Sequence, residues 1–369
     1  MARQVRLRRR ARRTERGGAR PLHVLLVVLA AVLAVAPMPA AWIEHWFSTG
    51  LYAALQPLLS SATSLIPVSL LDLLLLAAIG WIALAVVRVT RARGRRLREL
   101  GFLIWRASVI GAAVYVLFLM MWGLNYRRQP ITVRLDYADA RVTPDAVAAL
   151  AKKAVTEMNR LHPVAHAQLA ASPGLEAVRL RLAPAFAQAQ RAIAMDRPAA
   201  PARPKHPLVA PFFRWAAVDG MMNPLGLEVL LNPDLLPVER PAALAHEWAH
   251  LAGWARESEA SYLAWLACRL GDEAAQYSGW LAVYWYLRAD LPPEIRGGLE
   301  RDLAPGPRDD LQAIAARVAG AHAAVRQASW QAYDRFLKVN RVDEGVHSYS
   351  EVVRLVVGAK DPLTPSSGV

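Results

Sequence analysis

The residues best able to do chemistry are His246-Glu247-Trp248-Ala249-His250. Histidines at i and i+4 of a helix project from one face, so His246 and His250 can bind one ion while Glu247 points toward its open side. Zinc held this way needs a third protein ligand. It then keeps one position for water, lowers that water's pKa to roughly 7, and leaves a neighbouring glutamate to take the proton as a carbonyl is attacked. Glu247 is placed to be that base. Cys268 is the only cysteine, which excludes an intrachain disulfide and a cysteine-based zinc site. Histidine and carboxylate must therefore hold the metal.

Glu257 is the preferred third ligand, and it imposes a condition on the backbone. In an unbroken helix it would lie about 10.5 Å along the axis from His250, beyond the reach of a glutamate. The helix must end between the two, and Gly253 is the residue best able to take the left-handed turn that stops it. Glu259 is the competitor. Glu257 shares a helical face with Ala260, Ser261, Ala264 and Cys268, whose small side chains allow close approach to the metal helix. Glu259 shares its face with Tyr262, Leu263 and Leu266, so it too could point inward, as a neighbour of the site or a partner for a charged end of the substrate. The five-residue pattern also arises by chance, its histidines merely satisfied in a core. Its apolar helix, its well-placed glycine and the two glutamates within nine residues favour a metal.

The elements that must position these residues are mostly helical. Thr143-Pro144-Asp145 has the form of an N-cap with proline at the first helical position, opening a helix to about residue 161. Further helices are predicted over about 175–195, 240–252, 257–270, 272–289, 307–338 and 348–357, with breaks at Gly253, Gly271, Pro292-Pro293 and Gly345. Arg197–Pro207, with four prolines, reads as a surface loop. Residues 227–231, a β-prone run between two Asn-Pro pairs, are predicted to form a short edge strand that pairs with an extended substrate. His347 and Tyr349 are candidates to stabilise an oxyanion, although each also suits an ordinary helix start.

Ahead of this half lies a different solvent. The chain has 369 residues, 55% of them hydrophobic, and the excess is concentrated before residue 125. Three spans are predicted at about 22–43, 70–87 and 102–124, the first long enough to cross a hydrocarbon core of roughly 30 Å. A cleavable leader ending near Pro39-Ala40-Ala41 is the alternative for the first. Trp42, Trp46, Phe47 and Tyr52 suit a membrane–water interface, and residues 51–69 read as an amphipathic stretch on the outer surface. Asp72 and Arg106, at span ends, read as interfacial.

The net charge of +14 comes largely from two blocks, nine arginines within residues 1–20 and six within 88–98. Each abuts a hydrophobic stretch, which is the positive-inside pattern and an invitation to anionic lipid, not a nucleic-acid surface. The sequence thus predicts a basic cytoplasmic terminus over 1–21, a membrane region over 22–124 and an extracytoplasmic domain over 125–369. That arrangement is a multi-pass protein of the bacterial cytoplasmic membrane.

Several segments together resemble a known family. They are His246-Glu247-x-x-His250-x-x-Gly253-x-x-x-Glu257-x-Glu259-Ala260, Trp122-Gly123-Leu124-Asn125-Tyr126-Arg127, Tyr333-Asp334-x-x-Leu337-Lys338-x-Asn340 and Gly345-x-x-Ser348-Tyr349. They are similar to a bacterial membrane family catalogued as domain of unknown function 3810, over most of the chain from about residue 45. The resemblance implies a few N-terminal spans and an exported zincin-like domain with metal residues at His246, Glu247, His250 and Glu257. It supplies no substrate. Ser258 and Ser261 depart from the family pattern, which commonly has an acidic residue and asparagine there; the changes fall in the polar surroundings of Glu257 and remove no proposed ligand.

The expectation is a mainly α protein: about three transmembrane helices, then a mostly helical zincin-like metallopeptidase domain acting on a protein or peptide of unspecified identity. The alternative from another class is a non-catalytic zinc-containing binding, sensor or assembly module. Glu247 argues against it, because a purely structural site has no use for a base. Cleavage inside the membrane would need the motif within a span, and the motif follows the last span by over a hundred residues.

Overall fold

Proline and glycine punctuation divides the chain much as their spacing predicts. A computed structural model describes residues 21–92, 94–340 and 351–363. His347 and Tyr349 lie outside the described residues, as does nearly all of the basic terminus. The protein is mainly helical. Its internal contacts separate two compact units: one comprises the described residues up to Met38 together with Leu73–Gly123, the other Pro39–Asp72 together with the described residues from Leu124 onward.

Helix α1, Pro21–Val35, stops ahead of Pro37 and Pro39, which lack N–H donors and disfavour a helical residue before them. The expected first span over 22–43 is therefore not one continuous helix, and the chain resumes as α2, Ala40–Ser64. Among the described residues, helices α3, Leu70–Arg91, and α4, Arg96–Met121, are each long and apolar enough to cross a membrane, and α1 with α2 meets the same measure as a bent pair. Both run further into the arginine block than predicted, since arginine is a good helix former. Exposed side chains such as Leu76, Ile79 and Ile82 suit a hydrocarbon solvent.

In the second unit α2 contains a π-helical stretch, Ile43–Leu51. Its aromatic cluster is divided between the surface and the interior. Trp42 and Trp46 are exposed, but Phe47 and Tyr52 are buried. Tyr52 donates to the Leu251 carbonyl at 2.6 Å, Ser60 to the Leu227 carbonyl at 2.9 Å, and Gln56 exchanges hydrogen bonds with the Ala200 backbone. Within residues 51–69 the polar face, Tyr52, Gln56 and Ser60, packs on protein, while Leu51, Leu55, Leu58, Leu65 and Val68 are exposed, so the apolar side expected to lie on a membrane surface is uncovered by protein. Asp72, expected at a membrane interface, is also buried here and accepts from the Leu208 N–H at 2.9 Å. The continuous membrane region expected over 22–124 is thus interrupted by residues 39–72, which belong with the following domain.

The remainder is built on α5, Pro144–Ala171, capped by the Thr143 hydroxyl on the Ala146 N–H and continuing past its expected end through Pro163. Then come α6, Leu175–Ala192, and α7, Ala210–Ala216, and after the sheet α8, Arg240–Leu251, α9, Glu257–Leu270, and α10, Glu273–Asp290. They are followed by α11, Pro293–Asp302, α12, Pro305–Ala319, α13, Ala323–Val339, and α14, Glu351–Gly358. The helix expected over 307–338 is two, separated at Gly320-Ala321-His322. Helix α9 packs among α6, α8 and α10, and α10 lies along α5. Trp248, Trp254, Tyr262, Tyr277 and Phe186 are among the largest fully buried side chains.

A small sheet completes the unit: β1, Pro204–Lys205, β2, Gly220–Asn223, and β3, Glu228–Leu231, in the order β1-β3-β2. The predicted strand exists but is central, parallel to β1 and antiparallel to β2, and buried along its whole length. That burial explains its unalternating apolar run. Among the described residues the outer edge of β2 is unpaired, so β2, and not residues 227–231, is the strand with a free edge beside the metal helix.

Candidate metal centre

The local backbone around the histidines follows from a few residues. Pro241 opens α8 in its first turn, and Gly253 closes it at φ +88°. The Gly253 N–H bonds to the His250 carbonyl at 2.9 Å and the Trp254 N–H to the Ala249 carbonyl at 3.1 Å, the paired bonds of a Schellman turn. The reversal lets Glu257, the first residue of α9, return to the face that carries both histidines.

His246 Nε2 lies 3.0 Å from His250 Nε2 and 3.1 Å from Glu257 Oε2. His250 Nε2 is 3.6 Å from Glu257 Oε1. All three donor atoms fall within 4.8 Å of one another, so the residues can hold a metal ion. Their other atoms are secured. His250 Nδ1 is 2.8 Å from the Trp254 carbonyl, which fixes a proton on Nδ1 and turns Nε2 toward His246 and Glu257 as the ligand nitrogen. His246 Nδ1 meets the Ser261 hydroxyl at 3.1 Å, and the Tyr333 hydroxyl donates to Glu257 Oε1. Two imidazole nitrogens facing each other across a buried carboxylate form a donor set suited to a cation such as zinc.

Glu247 is buried beside this group, and its Oε2 finds no hydrogen-bond partner among the described residues. Burial pushes its carboxyl up to about 7, against the pull of His246 and His250. Burial also works to raise Glu257, but the two histidines outweigh it and hold that carboxyl well below the ordinary range. Burial lowers His250, and the Glu257 charge more than offsets this, taking its pKa to about 9. Glu247 is confined from one side by β2. A Cβ on Gly220 would come within 2.8 Å of Glu247 Oε1.

Of the two candidate third ligands, only Glu257 joins the histidines. Glu259 is buried elsewhere on α9, where its Oε1 accepts the Ile131 N–H at 2.8 Å and burial raises its carboxyl to about 6. Three participants had no sequence-derived role. Ser261 was visible as a small residue on the Glu257 face and as a departure from the family pattern, with no partner assigned. Tyr333 lies 76 positions from Glu257, too far for spacing to reveal. Gly220 belongs to a strand too short to show a pattern.

Fold and site together define a mainly helical chain with two or three helices able to cross a membrane and a two-histidine, one-glutamate group in which His250 and Glu257 are buried and His246 is partly exposed. The chain belongs to the family described as protein of unknown function (DUF3810), whose model matches residues 47–357. That match runs from within α2 to the penultimate residue of α14. No curated protein and no solved structure matches the chain.

Proposed function

We propose that this protein is a membrane-anchored, zinc-dependent peptidase, with a zincin-like arrangement of His246, His250 and Glu257 as ligands. The observation that carries the reading is a buried carboxylate, Glu247, with an unpartnered oxygen next to the three converging donors. Zinc bound by those residues supplies Lewis acidity to the carbonyl and to the attacking water. Glu247 takes the proton from that water and returns it to the departing nitrogen. The free edge of β2 offers backbone groups to an extended peptide. The Trp254 carbonyl, Ser261 and Tyr333 keep the ligands oriented, so little reorganisation is needed during the reaction.

Chain connectivity supports an outward-facing site. Helices α3 and α4 meet each other at the arginine block and connect to the second unit's segments at their arginine-poor ends. With the arginines cytoplasmic, the domain is at the outer face of the cytoplasmic membrane whether or not α1 crosses. Anionic lipid is the partner of the basic block.

The test uses the full-length protein in detergent. One zinc per chain at this site, lost in His246→Ala and Glu257→Gln but kept in Glu247→Gln and Glu259→Gln, supports the ligand set. Peptide hydrolysis abolished by Glu247→Gln makes it an enzyme. Zinc retained without hydrolysis of proteins, peptides or wall peptides favours an exported binding or sensor module, and a folded parent without zinc sinks the site.

A further inference from the structure

We infer that His162, His166 and Asp310 form a second binding site for a divalent transition-metal ion, independent of the His246 group. His162 and His166 stand at i and i+4 on α5, with ring centroids 4.1 Å apart. Helix α12 brings Asp310 to them: its Oδ2 is 2.9 Å from His166 Nε2 and 3.7 Å from His162 Nε2. One donor atom from each residue falls within 4.8 Å of the others.

The neighbourhood fixes these side chains from three helices. Asn159, one turn before His162, donates to the Asp302 carbonyl and accepts from the Ala304 N–H, each at 2.8 Å, which ties the start of α12 to α5. The His162 ring packs against Gly306, where a Cβ would come within 2.3 Å of its Cε1. Tyr277, from α10, donates its hydroxyl to Asp310 Oδ2 and sets its ring edgewise to both imidazoles. A hydrogen-bonded neighbour that orients a ligating carboxylate is a common part of metal sites.

An ordinary His–Asp pair accounts for only half of this arrangement. His166 and Asp310 satisfy one another, but the His162 nitrogen is too distant from Asp310 for a hydrogen bond and lies beside a second imidazole. Two imidazole nitrogens aimed at one carboxylate oxygen are what a bridging cation uses. Imidazole and carboxylate together favour zinc and its first-row neighbours over calcium or magnesium. The His166 side chain is 43% exposed, so an ion can load from solvent. The apo pair already holds α5 to α12, and the metal adds a second tie between them.

Full-length protein in detergent, stripped with a chelator and titrated with Zn2+ alone, tests this. The His246→Gln/Glu257→Gln variant is expected to keep one zinc equivalent and to show a higher melting temperature with zinc than without. Adding His162→Gln and His166→Gln should weaken that remaining equivalent by more than roughly tenfold and abolish the thermal shift. Asp310→Asn in the same background provides an independent check that leaves both rings in place. A His246→Gln/Glu257→Gln protein that is folded yet neither binds zinc nor shifts on melting overturns the inference, as does zinc binding insensitive to residues 162, 166 and 310. Wild-type protein losing only one of two equivalents in His162→Gln/His166→Gln shows that the sites are separate.

Discussion

Gly220→Ala tests whether Glu247 acts through its position. Gly220 pairs with Leu231 across β2 and β3, and its φ lies outside the left-handed region, so alanine fits the backbone. The added Cβ, however, would stand 2.8 Å from Glu247 Oε1, 2.9 Å from its Cγ and 2.8 Å from Leu231 Cδ2. Ordinary contact begins near 3.5 Å, so Glu247 must retreat by roughly 0.7 Å or more. A base misplaced by about 1 Å loses on the order of 100-fold in rate, and general-base catalysis as a whole contributes about 10²–10⁴-fold. Overpacking costs about 1–3 kcal/mol of stability as well. The assay pairs zinc content with initial rates on a fluorogenic peptide that the wild type cleaves. Zinc should be unchanged, because the nearest neighbours of the added Cβ are Glu247 and Leu231 and neither is a proposed ligand, while the rate falls about 100-fold. Wild-type turnover in Gly220→Ala, with Glu247→Gln inactive, would refute the argument that β2 sets the position of the base.

Tyr333→Phe removes the hydroxyl from Glu257 and should weaken zinc about tenfold, at the low end for a group that orients a ligand; unchanged affinity in a competition titration would remove Tyr333 from the site. Gly253→Ala forces alanine to φ +88° and brings its Cβ to 3.1 Å from Asn125 Oδ1, at a cost of about 1–2 kcal/mol. Its melting point should drop by roughly 2–8 °C. Glu228→Gln leaves Lys205, whose Nζ is 2.8 Å away, as a buried unpaired charge, and should cost about 3–5 kcal/mol in denaturation at neutral pH. Burial works to raise the Glu228 carboxyl, but Lys205, Asn223 and the Leu70 and Leu71 N–H groups lower it from 4.5. Because the folded pKa is depressed, the wild type holds this stability above about pH 4.5 and loses it on further acidification. The Gln variant should show a flatter acid profile.

How far the chain could be read depended on the range of the interactions. The metal helix, its end at Gly253 and the return of Glu257 were legible because helical rise and side-chain reach are local quantities. The choice of Glu257 over Glu259 was legible from the small side chains beside it. Long-range facts were not. Tyr333 comes from a helix far along the chain, and residues 227–231 carry no mark of having neighbours on both sides beyond their lack of alternation. Pro37 and Pro39 already argued against a continuous first span, yet length and apolarity outweighed them. Phe47 and Tyr52 look the same facing lipid or protein. The cluster of His162, His166 and Asp310 escaped notice because its third member is supplied by another helix, 144 positions away.

The division of the second unit between Pro39–Asp72 and the chain beyond Leu124 also sets an order of events during synthesis. Tyr52 bonds to a carbonyl 199 residues later, which at about 5–20 residues per second leaves the ribosome roughly 10–40 s behind it. Throughout that interval α2 exists without the surface it will cover, while two long apolar helices are made between its appearance and its docking. A helix that is apolar on one side can lie on a bilayer during the delay. Docking then takes up the side that carries Tyr52, Gln56 and Ser60, and Leu51, Leu55 and Leu58 stay exposed, so the apolar side that suits a bilayer before docking suits one afterwards too.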